Sequence, residues 1–203
     1  MLIRLFGLLA LFFGLATSVM AEPVGELVRL QGSGTLVRGD ESLALRTGME
    51  ISQGDVIHTD KECRVLIQFN DDMELTLGAE ASVRIQRYLF DAQARKGKAG
   101  LSLDGAFRVI SGKIGKLGTD RVRLTTPAAI LGIRGTDVLG APLDGRLDVV
   151  VFSGEVQVAN IAGKVVLGAG EGTVVKAPFE PPSAPKQWGK SKIERAVKTV
   201  TFD

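Results

Sequence analysis

The sequence predicts an all-β domain of many short strands, closed by one short C-terminal helix. Three observations carry that expectation. Apolar and polar residues alternate with period two through most of the chain, the signature of half-buried strands. The 203 residues include 25 glycines, and apolar types reach 45% with few aromatics, which suits short strands joined by tight turns. A helical period appears in one place only, near the C-terminus. The architecture is left between a short irregular β-solenoid and a β-sandwich, since both stack short strands over one apolar core.

The first element is a leader. Arg4 precedes an apolar run from Leu5 to Ala16, and Ser18-Val19-Met20-Ala21 ends in small residues at the −3 and −1 positions. That order is a secretory signal peptide over 1–21, with a mature chain beginning Glu22-Pro23; an uncleaved anchor is the alternative. The expected location is therefore outside the cytoplasm. The rest divides into an all-β domain over 22–177 and a proline-rich linker with a short helix over 178–203. The mature part, about 180 residues long, suits one well-buried domain. Cys63 is the sole cysteine, so an internal disulfide is impossible, and the pattern Cys63, Val65, Ile67, Phe69 sends its thiol to the core.

Cys63 to Phe69 and Met73 to Leu77 alternate on either side of Asn70-Asp71-Asp72, which predicts a hairpin with a solvated acidic turn. Ser82 to Arg87 and Arg121 to Thr125 continue the alternation. Leu147 to Phe152 is a continuous apolar run, as expected of a strand buried on both faces. Phe90 to Gly100 is polar and basic and predicts an exposed loop or hairpin tip, where Arg95, Lys96 and Lys98 form a candidate partner surface. Pro178, Pro181, Pro182 and Pro185 remove ladder donors, so the β domain should end near Lys176. Beyond them Ile193, Ala196, Val197 and Val200 share one helical face, with Ser191 as the expected N-cap. Covering an open sheet edge or solenoid end is its expected task.

Charge is unevenly distributed along the chain. Residues 22–83 hold five basic and twelve acidic side chains, a net −7; residues 84–123 hold ten and three, a net +7. Either these segments neutralise one another as spatial neighbours, or Arg84 to Arg123 forms a basic face for anionic glycans, lipid head groups or an acidic partner. The first reading is the simpler one.

The residues supply no catalytic or metal-binding set. His58 is the only histidine, and one histidine with one cysteine makes no zinc site of ordinary type. Asp71, Asp72 and Glu74 lack the spacing of a calcium loop. Gly168, Gly170 and Gly172 lead into a strand-like run rather than a helix, so they do not form a phosphate loop. No cofactor or nucleic-acid motif is present, and nothing supports an enzyme.

The run Thr125 to Val138, containing Thr126-Pro127-Ala128-Ala129-Ile130-Leu131-Gly132-Ile133-Arg134-Gly135-Thr136, resembles the core signature of FecR-type domains. Gly48 to Thr59, with Gly54, Asp55 and Thr59, is similar to the family's Gly-Asp element. Gly105 to Lys113, Gly154-Glu155-Val156 and Gly168-Ala169-Gly170 fit its later strands, while Asp72 stands where the family commonly has glycine. The resemblance implies a periplasmic sensing or scaffolding module of a Gram-negative envelope, working by contact with a membrane or outer-membrane signalling protein. The segment ahead of the domain has no room for the family's cytoplasmic anti-sigma part, so the transmembrane anti-sigma role is not expected to carry over, and a free-standing exported domain is the expectation. Read from the residues, Gly54, Gly135 and Pro127 shape turns. Arg134, in an apolar stretch, is expected to be partly buried and paired with Asp55 or Asp137. A second class of function, glycan or cell-wall binding through the basic segment, stays open.

Overall fold

The computed structural model describes residues 22–118 and 120–203, so the leader lies outside the described residues. Sixteen strands share one sheet. In chain order they are β1 (Pro23–Gln31), β2 (Gly34–Arg38), β3 (Glu41–Ala44), β4 (Met49–Ser52), β5 (Val56–Thr59), β6 (Arg64–Phe69), β7 (Glu74–Leu77) and β8 (Ser82–Asp91). They continue with β9 (Lys96–Asp104), β10 (Phe107–Ile110), β11 (Val122–Thr125), β12 (Ile130–Leu143), β13 (Arg146–Asn160), β14 (Gly163–Leu167), β15 (Glu171–Val175) and β16 (Lys186–Gln187). A 3-10 turn spans Ile114–Leu117 and one helix, α1, spans Lys190–Lys198.

The long strand β12 is the spine. Its first part, Ile130 to Ile133, pairs with β11, and its later part, Asp137 to Gly140, pairs with β10. One arm then runs β11-β9-β8-β5-β2-β3 and the other β10-β7-β6-β1-β4, while β13 lies along the opposite edge of β12. The inner faces of both arms feed a single core. Leu36, Ile57, Ile85, Leu101 and Leu124 come from the first arm, and Leu27, Ile51, Ile67, Leu75 and Val109 from the second. Alternation thus has its physical cause, since every second residue meets the facing arm. Every pairing is antiparallel except β9 with β11. This is an all-β fold of many short strands in one sheet, curled into a half-barrel around the core.

Several local expectations hold and others need correction. Cys63 is fully buried, with burial pushing its thiol pKa up. The 70–72 turn joins β6 to β7, and Asp72 takes the left-handed conformation (φ 65°). Asp71, however, is buried rather than solvated. It accepts hydrogen bonds from the Tyr88 hydroxyl (2.8 Å) and the Ile114 amide (3.0 Å), because the turn folds under the 3-10 segment. The basic 90–100 segment is the β8–β9 hairpin, most of it in strands.

Within β13, Val149 and Val151 face the main core, and Val150 joins a second cluster with Leu139, Ala141, Leu143, Ala196 and Val200. The apolar run is therefore buried on both sides. Helix α1 covers this face of β12 and β13 rather than a sheet edge. It is capped by Gly189, whose carbonyl receives the Lys192 and Ile193 amides, and Ser191 sits inside the first turn instead. The chain also re-enters the sheet beyond the prolines, where β16 pairs with β15.

Candidate interaction groove and basic face

The residues of the 126–136 run and the Gly-Asp element are held by local bonds. Gly54 (φ 97°) donates its amide to the Ile85 carbonyl, and the Ile85 amide returns to Asp55. The Asp55 carboxylate, 1% exposed, takes both ends of the Arg38 guanidinium (2.9 and 2.6 Å) and the Ser52 amide (2.7 Å). This bidentate pairing holds the Arg38 pKa above its ordinary value. Thr59 donates to the Gly78 carbonyl (2.7 Å) and accepts from the Ala81 amide (2.8 Å), tying β5 to the loop between β7 and β8.

At Thr126-Pro127 the chain reverses. The Thr126 hydroxyl donates to the Ala129 carbonyl (2.8 Å) and accepts the Ala129 amide (3.0 Å), closing the turn that launches β12. Gly132 lies in the strand that follows. Gly135 (φ 58°) sits in a bulge of β12 opposite Gly154 (φ 79°), where a side chain on Gly154 would strike the Gly135 carbonyl. Thr136 is buried, and its amide donates to the Ser111 hydroxyl oxygen at 2.6 Å. The bulge lies where β12 leaves β11 and takes up β10.

That bulge also overturns the expected Arg134 pairing. Arg134 precedes it on the outward parity of β12 and is exposed. Both proposed carboxylates hold other arginines: Asp55 holds Arg38, and Asp137 takes Arg108 through two bonds (2.8 and 2.6 Å) that raise the Arg108 pKa. The signature residues thus set the geometry of turn and bulge.

Around the turn they leave a groove. A hollow of about 500 Å³ is lined by Val56, His58, Arg84, Ser102, Asp104, Thr125, Thr126 and Pro127. A second of about 180 Å³ shares Leu103, Asp104, Thr126 and Pro127 with it and extends toward Pro142, Arg146 and Leu147. Together they make one continuous depression of mixed polar and apolar lining, with a central carboxylate and an arginine toward each end. Sequence reasoning named Thr126 and Pro127 but not Arg84, Ser102 or Asp104. Register assembles these: Arg84 pairs with Ser102, and Ser102 with Thr125, so one row of outward side chains forms the floor.

The charge expectation is also settled by register. The basic strands β8, β9 and β11 neighbour each other, so their charges gather on one face, while elsewhere the two segments do meet, as in the Lys113–Asp72 pair. Arg87 faces Gly100, which faces Arg123, which faces Gly132. Two residues along on the same face, Lys98, Arg121 and Arg134 form the adjacent row. Arg95 and Lys96 lie exposed at the hairpin end of this face.

The stretch 55–157 matches the family described as FecR protein. No curated protein matches the chain. Two crystal structures of a candidate anti-sigma factor from Parabacteroides distasonis ATCC 8503 have a similar fold, with TM-scores of 0.56 and 0.53 at 15% identity. Each covers 68% of this chain, and the chain spans 62% of each of them. At that identity the likeness is one of fold. The match over 55–157, which takes in Asp55, Thr59, the Thr126-Pro127 turn and the Gly135 bulge, places the chain in the FecR protein family.

Proposed function

We propose that this FecR-family chain is an exported, non-enzymatic module of the cell envelope that acts in signalling through protein–protein contact. The partner is a membrane or outer-membrane signalling protein, and the groove at the Thr126-Pro127 turn receives one of its extended segments. The observation that carries this is the coincidence of groove and signature: both hollows are lined by Thr126 and Pro127. An extended segment suits the site, since apolar patches at Val56, Leu103, Pro127 and Leu147 can take some of its side chains while Arg84, Asp104 and Arg146 offer charge at intervals. Membership of a regulatory family and a fold shared with a candidate anti-sigma factor support the same direction. No helix among the described residues is long and apolar enough to cross a membrane, so in this reading contact with the membrane partner is made from outside the bilayer.

Site-specific photocrosslinking in intact cells tests the reading. A photoreactive residue at Ser102, on the groove floor, is expected to yield one discrete protein adduct that disappears with Arg84→Glu. The same residue at Gln68, on the outer face of the other arm, should yield none. Equal adducts from both positions, or none from Ser102 in a folded protein, would sink the groove as the contact site. N-terminal sequencing of the same material should begin at Glu22; retention in the cytoplasm would remove the export step.

A further inference from the structure

Six cations, Arg84, Arg87, Lys98, Arg121, Arg123 and Arg134, stand exposed on the outer face of β8, β9, β11 and the first part of β12. Among the described residues, none of them enters an ion pair. The pairs that do form lie elsewhere: Arg38–Asp55, Arg108–Asp137, Lys113–Asp72, Lys192–Asp148, Lys190–Glu194, and Arg146 and Arg195 with Asp144. The six share one face and outnumber the carboxylates there, Asp104 and Asp120 beside the rows and Glu155 opposite Arg134.

We infer that this face is a docking surface for an anionic lipid bilayer. Five of the six cations are arginines, whose planar fork suits the oxygens of phosphate. The face is a sheet surface, not a track. Gly100 and Gly132 leave its middle row bare between Arg87, Arg123 and Gln157, and the hollow beside Gly132 and Arg134 measures only about 30 Å³. A broad face of this kind suits a broad anionic surface better than a single polymer strand, which gains most from a confining groove.

Large apolar side chains fringe the same rows. Leu89 is 53% exposed, Val166 48% and Ile130 39%, so cations at head-group level and apolar tips beneath them fit one interface.

The test is vesicle cosedimentation of the full chain, comparing neutral phosphatidylcholine with the same lipid partly replaced by anionic phosphatidylglycerol. The leader contributes to both, so the readout is the anionic-over-neutral preference. A salt-sensitive preference is expected. Arg87→Gln, Arg121→Gln and Arg123→Gln together should reduce it on the order of a hundredfold. An equal loss of charge at Lys186, Lys190 and Lys198 should leave it intact. If the triple variant fails to fold by thermal melt, Arg123→Gln alone should still lower it about fivefold. No anionic preference, or the same loss from both sets of substitutions, overturns the proposal. Face-dependent binding of heparin without vesicle binding also overturns it and assigns the face to acidic polymers.

Discussion

The two arms of this sheet present opposite solutions on their outer faces. The β10-β7-β6-β1 arm is closed off: Arg108 is clamped by Asp137, Arg29 stacks 4.2 Å over the Phe202 ring, and Gln31 exchanges hydrogen bonds with Asp203. Where that arm meets β12 and β13, α1 lays Ala196 and Val200 onto Leu139, Ala141 and Val150. The β8-β9-β11 arm carries more cations and, among the described residues, leaves them without an ion-paired carboxylate or a covering tail. Both arms supply the same core, so core packing does not account for the difference. Paired cations here belong to the stability of the fold, and the unpaired ones are available to something outside it.

Removing a paired cation should therefore be costly. The largest effect is expected at Lys192, which lies 2.5 Å from Asp148 and over the Trp188 ring. Asp148 is 1% exposed, and among the described residues no other cation forms an ion pair with it. Lys192→Ala strands a buried carboxylate, a loss of about 3 kcal/mol, the low end for such pairs because the lysine is itself one-third exposed. Urea unfolding should show the drop. Replacing both partners, Asp148→Leu with Lys192→Met, should recover much of it, and failure to recover would mean the tail is held mainly by Trp188 and Val197.

A smaller effect is expected at Arg38→Ala, about 2 kcal/mol, because Asp55 keeps its bond from the Ser52 amide. Tyr88→Phe should act through pH. Burial and the hydrogen bond to Asp71 raise the Tyr88 pKa well above its ordinary value near 10. Below that value both folded and unfolded tyrosine are protonated, so the hydrogen bond contributes fully. Above it the unfolded phenol ionises while the folded one resists, and stability must fall as pH rises. Tyr88→Phe should flatten that alkaline fall in melting temperature. An unchanged slope would place the alkaline sensitivity on other groups.

Much of the fold was legible because it is local. Alternation in Cys63 to Leu77 reports the hairpin directly, and the apolar run at Leu147 to Phe152 reports a strand with a core on each side. Charge partners were not legible. Asp55 finds Arg38 and Asp137 finds Arg108 across strands that meet only through the sheet order, 17 and 29 residues apart. The expectation for Arg134 read its apolar neighbours correctly but could not see the bulge at Gly135 that keeps it outside. The groove failed for the same reason, since Arg84, Ser102 and Thr125 form a row only once β9 lies parallel to β11. The basic face was half legible: β8 and β9 are a hairpin and stay together, but the arrival of β11 beside β9 depends on a non-local contact.

The smallest effect is the sharpest test of the contrast between the arms. Arg121→Ala and Arg123→Ala remove side chains that hold no carboxylate, so each should leave the melting temperature unchanged to within about two degrees. Together they should raise it slightly at low ionic strength, because like charges on adjacent strands repel, and the gain should vanish as salt screens them. The pattern is opposite in sign to Lys192→Ala, although all three substitutions delete one positive charge. If the arginine variants instead destabilised the chain to a similar degree, the basic rows would be packing elements whose aliphatic stems cover the sheet. The division between a stabilising face and an available one would then fail at its most exposed point.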